Sequence, residues 1–448
     1  MKGHANRGRR IAAVVAVAAT TAAVGACGSA QAHSSATAAS VTAAPARVAQ
    51  TALGTVGYRE VGSGPPLVLI MGYAGTMETW EPQFVNDLAR HNRVVVFDNA
   101  GIGSTAALPS PLTIDAMANQ TSALIRALGL GRTDVLGWSM GGMIAQALAV
   151  LHPAQVRRLV LCATFPGVGT RQPTQAAVND LTNGSGIDVL FPADQAMAGD
   201  AFAGALAGYP AAAPASASVI AAQGHASLGW WDGLDTAGRE TSKISAPTLI
   251  ADGTEDQLDP TSNSRAIAGL IPGAKLLLYP DAGHGFLFQE GAPFALTVQS
   301  FLAGSPAPLS TAAIRSAFVS GEALVTAAGR TWAAKLKALG ARPTAPALPG
   351  MAAPSSPSAA EVAAIGQPLA DSMSSLDYQL LSAGATGAVG NAIATFVTAN
   401  GRLVNDILAL AGLSASTAKT WQPTITRDGA ADQRAEAALR KDLGLAAA

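Results

Sequence analysis

Short apolar runs recur along the first two thirds of this chain, separated by longer stretches in which apolar residues return every three or four positions. The runs are Pro66–Ile70 (PLVLI), Arg93–Phe97 (RVVVF), 135–136, 159–161, 248–251 and 276–279. Continuous apolar segments of this length, bounded by turn residues, predict strands buried on both faces and therefore a parallel sheet. The stretch 113–128 has the spacing of an amphipathic helix. Strand alternating with helix predicts an α/β fold, with a mostly parallel central sheet and helices on both faces. Residues 55–61, followed by Gly62 and Gly64, read as an early hairpin. The rhythm fails between about 167 and 240. That interval shows no strand pattern and carries Phe191, Phe202, Tyr209, Trp230 and Trp231 among many alanines. An insertion here predicts a helical cap over the carboxyl ends of the strands, where open α/β sheets bind ligands. The α/β domain is expected over 52–303.

Ser305-Pro306-Ala307-Pro308 marks a boundary. Beyond it Ile314, Phe318, Val325, Trp332, Leu336 and Leu339 form one helical stripe, and Val389, Ile393, Phe396, Leu403, Ile407 and Leu410 a second. A Pro-rich stretch, 342–357, separates them, and 430–445 reads as a charged helix. Residues 309–448 are expected to be an all-helical appendix with no recognisable chemistry.

The first 27 residues read as an address. Lys2, Arg7, Arg9 and Arg10 form a basic start, and 11–24 is apolar but too short to span a bilayer as a helix. Val24-Gly25-Ala26-Cys27 has the form of a bacterial lipobox, in which cleavage leaves Cys27 as a lipidated N-terminus. An ordinary signal peptide cut near Ala32, with Cys27 removed, is the alternative. The Arg9-Arg10 pair leaves a twin-arginine export route open. Residues 28–51, rich in Ala, Ser and Thr, read as a flexible tether. The expected product is exported and held to the outer face of the cell membrane by lipid, or else secreted in soluble form.

Composition narrows the functions. Lys and Arg total 28 against 29 Asp and Glu, a net charge of −1, and charged residues are 13% of the chain. That balance lacks the basic excess a nucleic-acid surface requires. Besides Cys27 the only cysteine is Cys162, inside an apolar run and without a disulfide partner, so it reads as a small buried core residue. Cys and His do not occur at metal-site spacing. Neither a metal nor a cofactor is expected.

The chemistry centres on 134–142, DVLGWSMGG. A strand end runs into Gly137-Trp138-Ser139-Met140-Gly141, a G-x-S-x-G match, and a helix pattern follows. This is the context of a nucleophile elbow, whose tight turn demands small residues at 137 and 141. A serine hydroxyl needs a base, and the base needs an orienting acid. Of six histidines, His4 and His33 lie in the export segment and tether, His91 precedes a strand, His152 ends a helix before Pro153, and His225 lies in the cap. His284 sits in Asp281-Ala282-Gly283-His284-Gly285-Phe286, straight after the last strand, where small neighbours permit a close backbone approach. It is the expected base. The acid should follow the preceding strand, where 252–260 offers Asp252, Glu255, Asp256 and Asp259.

Over about 52–302 the chain resembles the α/β-hydrolase superfamily, with Ser, acid and His in the family's order. The resemblance implies G-x-x-D at the acid segment. Gly253-Thr254-Glu255-Asp256 matches, which assigns the acid to Asp256, with Asp259 and Asp252 as fallbacks and Glu255 facing solvent. It also implies an oxyanion hole of two backbone N–H groups, one from Met140 and one from Tyr73 in the loop after Ile70. That loop reads Met71-Gly72 where the family usually has His-Gly. The segment 98–104 (DNAGIGS) resembles the family's Asp-x-Arg-Gly-x-Gly-x-Ser loop with Ala100 in the Arg position, and is expected to border the site. A Ser nucleophile implies an esterase or lipase acting through an acyl-enzyme on a small, apolar ester. C–C bond hydrolysis, cofactor-free perhydrolysis and a non-catalytic surface lipoprotein remain the alternatives.

Overall fold

The computed structural model describes residues 40–182, 189–279, 282–304, 310–340, 387–409 and 415–445, with isolated positions between 369 and 385. The export segment, Cys27, the Pro-rich stretch, and the side chains of Trp332, Leu336, Leu339, Ile407 and Leu410 lie outside the described residues. The chain divides into two compact units, 1–289 and 290–448.

The first unit is built on an eight-stranded sheet: β1 (Arg47–Thr51), β2 (Gly54–Val61), β3 (Pro66–Ile70), β4 (Arg93–Phe97), β5 (Thr133–Trp138), β6 (Val156–Cys162), β7 (Thr248–Gly253) and β8 (Lys275–Tyr279). Their order is β1-β2-β4-β3-β5-β6-β7-β8. β3 to β8 run parallel to one another, whereas β2 is antiparallel to both β1 and β4. The apolar runs are these parallel strands. β5 is buried throughout and β3 at every position after Pro66, as expected of strands covered on both faces. Helices α1 (Pro82–Ala89), α2 (Ile114–Ala127), α3 (Met140–Leu151) and α7 (Ser262–Leu270) connect them. The interval without strands forms helices α4 (Gln175–Thr182), α5 (Ala196–Leu206) and α6 (Ala217–Trp231) between β6 and β7. These make the expected cap.

The tether ends sooner than the sequence suggests. Residues 47–51 are β1, the partner of β2 in the early hairpin, with Arg47 opposite Tyr58 and Thr51 opposite Gly54. Upstream, Val41 and Ala44 are buried, and Arg59 donates to the Ala44 carbonyl. Composition misleads here because RVAQT alternates too weakly to stand out from the Ala-rich segment before it. The domain boundary also shifts. α8 (Phe286–Gln289) closes the first unit, and α9 (Gly291–Ala303), expected inside it, belongs to the second.

That second unit is helical: α9, α10 (Thr311–Gly340), α11 (Gly387–Ala409) and α12 (Ala415–Asp442). Leu296 of α9 shares a core with Ile314, Phe318, Ile393, Phe396 and Leu439. The predicted stripe residues Phe318 and Phe396 meet edge to face at 5.7 Å. No helix among the described residues is long and apolar enough to cross a membrane.

Candidate active site

β5 delivers Ser139 and α3 leaves immediately after it. The turn between them holds Ser139 at φ 56°, ψ −123°, a conformation that costs a non-glycine residue energy and persists only when its surroundings enforce it. Two ties do so. The Ser139 N–H donates to the Cys162 carbonyl at 2.9 Å, and the Ser139 carbonyl accepts from the Thr164 hydroxyl at 2.7 Å. The flanking glycines are needed sterically. A Cβ at Gly137 would lie 2.2 Å from the Gly141 carbonyl oxygen, and one at Gly141 would lie 2.0 Å from that of Ile70. The G-x-S-x-G match is thus a nucleophile elbow in strand–turn–helix context.

His284 follows β8 on a loop whose small residues allow it to pass close to other backbone. A Cβ at Gly283 would come within 2.7 Å of the Leu190 carbonyl oxygen, and the Gly285 N–H donates to that carbonyl at 2.7 Å. His284 Nδ1 and Asp256 Oδ2 are hydrogen-bonded at 2.7 Å, both side chains fully buried. The other oxygen of Asp256, Oδ1, accepts from the Leu258 and Asp259 N–H groups at 2.9 and 2.7 Å. Asp256 is therefore fixed by its own loop and orients the imidazole. The histidine is seated beside the elbow. The Trp138 indole N–H donates to the His284 carbonyl at 3.0 Å, and the two rings are 5.6 Å apart. His284 Nε2 is buried and has no hydrogen-bond partner among the described residues.

The fallback acids do not reach the histidine. Asp259 Oδ1 accepts from the Asn263 amide at 2.7 Å, and Asp252 accepts from the Gly253 N–H at 2.8 Å and the Ser264 hydroxyl at 2.7 Å. Carboxyl oxygens of Asp252, Asp256 and Asp259 all lie within 4.8 Å of one another. Burial, and then the adjacent Asp256, push Asp252 and Asp259 well above the usual carboxylate range. Glu255 is exposed. Burial likewise raises the Cys162 thiol, so it is an inert core group.

The loop after β3 is laid against the nucleophile. A Cβ at Gly72 would sit 3.1 Å from Ser139 Cβ. Tyr73 follows Gly72 and Met140 follows Ser139, and their N–H groups donate to no other described backbone group. Both N–H groups are thus free of backbone partners among the described residues, as oxyanion donors must be. The family histidine missing from this loop is not needed to hold it. Asn99 Nδ2 donates to the Met71 carbonyl at 2.8 Å, and the Met77 N–H donates to Asp98 Oδ1 at 2.7 Å. The 98–104 loop thus borders the site, as the resemblance implies, and braces it. Sequence reading missed Asn99 and Thr164, whose contributions are single hydrogen bonds to backbone. It also missed Gln223, whose Oε1 accepts from the Ala74 N–H at 2.8 Å.

Asp98 gives the fold a pH signature. Burial raises its carboxyl from 3.8 to about 6, opposed by the Met77 N–H and reinforced by Glu78. A folded pKa above the unfolded one means that the folded state holds the proton more tightly. The associated stability is full below about pH 4 and is lost as pH rises through about 6. Wild type should melt at a higher temperature at pH 5 than at pH 7.5. Asp98→Asn, which keeps an acceptor for Met77, should narrow that gap in differential scanning calorimetry. An unchanged gap would remove Asp98 as its source.

Comparison with known proteins agrees with this architecture. The model of a family described as alpha/beta hydrolase fold matches residues 65–291. A putative carbamate hydrolase, RutD, from Caulobacter sp. (strain K31) is 32% identical over 273 residues, covering 56% of this chain and 97% of that protein. A 2-hydroxymuconate semialdehyde hydrolase from Pseudomonas sp. (strain CF600) is 30% identical over 260 residues, covering 55% and 89%. Among solved structures, an alpha/beta hydrolase fold protein from Chitinophaga pinensis superposes with a TM-score of 0.51 at 28% identity, covering 59% of this chain and 98% of that one. The matched residues include Ser139, Asp256 and His284, and the chain belongs to the alpha/beta hydrolase fold family.

Proposed function

We propose that this hydrolase cleaves carboxylic esters through an acyl-enzyme on Ser139. The observation that carries the reading is the buried Asp256–His284 pair seated beside a strained serine elbow. Ser139 Oγ attacks the ester carbonyl carbon while its proton passes to His284 Nε2. The Tyr73 and Met140 N–H groups receive the negative charge that develops on the carbonyl oxygen. Asp256 holds Nδ1–H and stabilises the imidazolium. Collapse of the tetrahedral intermediate expels the alcohol, which takes the proton from Nε2. Water then gives a proton to His284, attacks the acyl carbon, and the acid leaves as Ser139 regains its hydrogen.

The cap favours an apolar acyl group. Phe202 of α5 stacks on Phe288 at 4.7 Å, and Phe288 meets Trp138 edge-on at 4.9 Å, so aromatic surface runs from the cap to the residue before the nucleophile. A series of 4-nitrophenyl esters of increasing acyl length tests this. Wild type should turn them over, with kcat/KM rising from acetate to longer chains. A flat or falling series would contradict the apolar acyl site. The similarity to a 2-hydroxymuconate semialdehyde hydrolase supports a second reading, C–C bond hydrolysis. Turnover of a β-diketone with no acyl-enzyme from any ester would favour it.

A further inference from the structure

We propose that Gln223, on cap helix α6, is a positioning residue for the oxyanion hole. Ala74 follows Tyr73, the residue whose N–H lines the hole, and has φ 59°. A left-handed conformation is uncommon and costly for alanine, so a hold on it from outside is informative. Gln223 Oε1 supplies one, accepting from the Ala74 N–H at 2.8 Å across 149 residues of sequence. Two other braces on this loop, Asn99 at Met71 and Asp98 at Met77, come from the segment after β4. From the cap, the Tyr209 hydroxyl reaches the far end of the loop at the Trp80 carbonyl, and Gln223 reaches it beside Tyr73. Gln223 fixes the peptide between Tyr73 and Ala74, while Gly72 is fixed against Ser139 on the other side. Tyr73 is held from both directions, and its N–H keeps its aim.

The side chain is not explained by packing. Gln223, Ala226, Ser227 and Trp230 form the buried stripe of α6, where an apolar residue would fill the same space without burying an amide. Gln223 is fully buried, and its Nε2 has no partner among the described residues. Burying half an amide unsatisfied is unfavourable, so the Oε1 contact must matter enough to retain it. α6 is in turn firmly seated. It is capped by the Ser216 side chain and anchored by the Trp230 indole N–H on the Phe165 carbonyl at 3.1 Å. Val219 packs onto Gly101, and the Cβ position of Gly224 is 3.6 Å from the Tyr73 hydroxyl. Through Gln223 the cap and the oxyanion hole form one device, so a displaced cap would leave an unformed hole.

The test uses Gln223→Met, which removes the acceptor at similar volume, and Gln223→Glu, which keeps it but introduces a carboxyl group. Rates with 4-nitrophenyl acetate are normalised to active sites titrated with a fluorophosphonate. The proposal predicts that Q223M loses about 10–100-fold in kcat per titrated site, with KM changed by less than about threefold. The Q223E rate, as a ratio to wild type, should be highest at pH 5 and fall with rising pH, because an ionised carboxylate opposes the oxyanion. Q223M within about threefold of wild type per titrated site, or a Q223E ratio independent of pH, would overturn the proposal. Lowered melting temperatures with normal kcat per site would also overturn it, as the mark of a purely structural residue. The assay rests on the ester-hydrolase reading, but the inference does not. Were wild type inactive on esters, the rate of Ser139 phosphonylation, which loads the same hole, would be compared across the three proteins with the same expected ratios.

Discussion

Ser139→Ala is expected to lower ester turnover by about 10⁶-fold while moving the melting temperature by no more than about 2 °C. The asymmetry follows from what the hydroxyl does. It is the atom that forms the covalent bond. The strained backbone at Ser139 is held instead by its N–H and carbonyl, through Cys162 and Thr164, and alanine keeps both contacts. The residual rate would come from the Tyr73 and Met140 donors acting on an attacking water. Steady-state kinetics with a single activated ester, alongside calorimetry, reads both halves. A variant that retains a tenth of wild-type turnover would place the nucleophile elsewhere.

Asp256→Asn should cost about 10⁴-fold in kcat, against less than about threefold for Asp252→Asn and Asp259→Asn. All three carboxyls are buried and mutually close, so burial alone does not separate them. Their partners do. Asp256 meets His284 Nδ1 directly and takes two backbone N–H bonds on its other oxygen. An asparagine there can keep the backbone bonds, but its amide N–H₂ facing Nδ1 would favour the wrong imidazole tautomer. Asp252 and Asp259 hydrogen-bond to Gly253, Ser264 and Asn263 rather than to His284, and burial with the adjacent Asp256 raises both carboxyls, the direction that lowers the cost of a neutral replacement. Asp259→Asn matching Asp256→Asn in its loss would show that the acid role is shared or misassigned.

The parts of this architecture legible in the sequence are those where one physical constraint dominates. A strand covered on both faces must be apolar throughout, so β3 and β4 declare themselves. A serine in a tight elbow needs glycine at 137 and 141, where any Cβ would strike a carbonyl oxygen. His284 is readable from its chain position and its glycine neighbours. Asp256 is different. Four carboxylates lie within eight residues, and only the family pattern separates them before the 2.7 Å contact with His284 is seen.

The remainder is illegible for equally physical reasons. β1 is a half-covered edge strand in which only Ala49 is buried, too weak an alternation to separate it from a tether. The assignment of α9 to the helical unit depends on side chains that meet from distant helices, such as Leu296 with Ile314 and Ile393. The serine, acid and base are marked by residue type and spacing. The braces of the oxyanion loop, Asn99 and Gln223, are single amides whose partners are backbone groups far away in sequence, and no local pattern marks them.

The most direct test of the account is to mix wild-type protein rapidly with a slowly deacylated activated ester, quench in acid, and map the added acyl mass by peptide mass spectrometry. The account predicts one acyl group per chain, on the peptide carrying Ser139, forming at the rate of the alcohol burst and absent from Ser139→Ala. Turnover of the ester with no acylated peptide, or with the acyl group on any other residue, would contradict it.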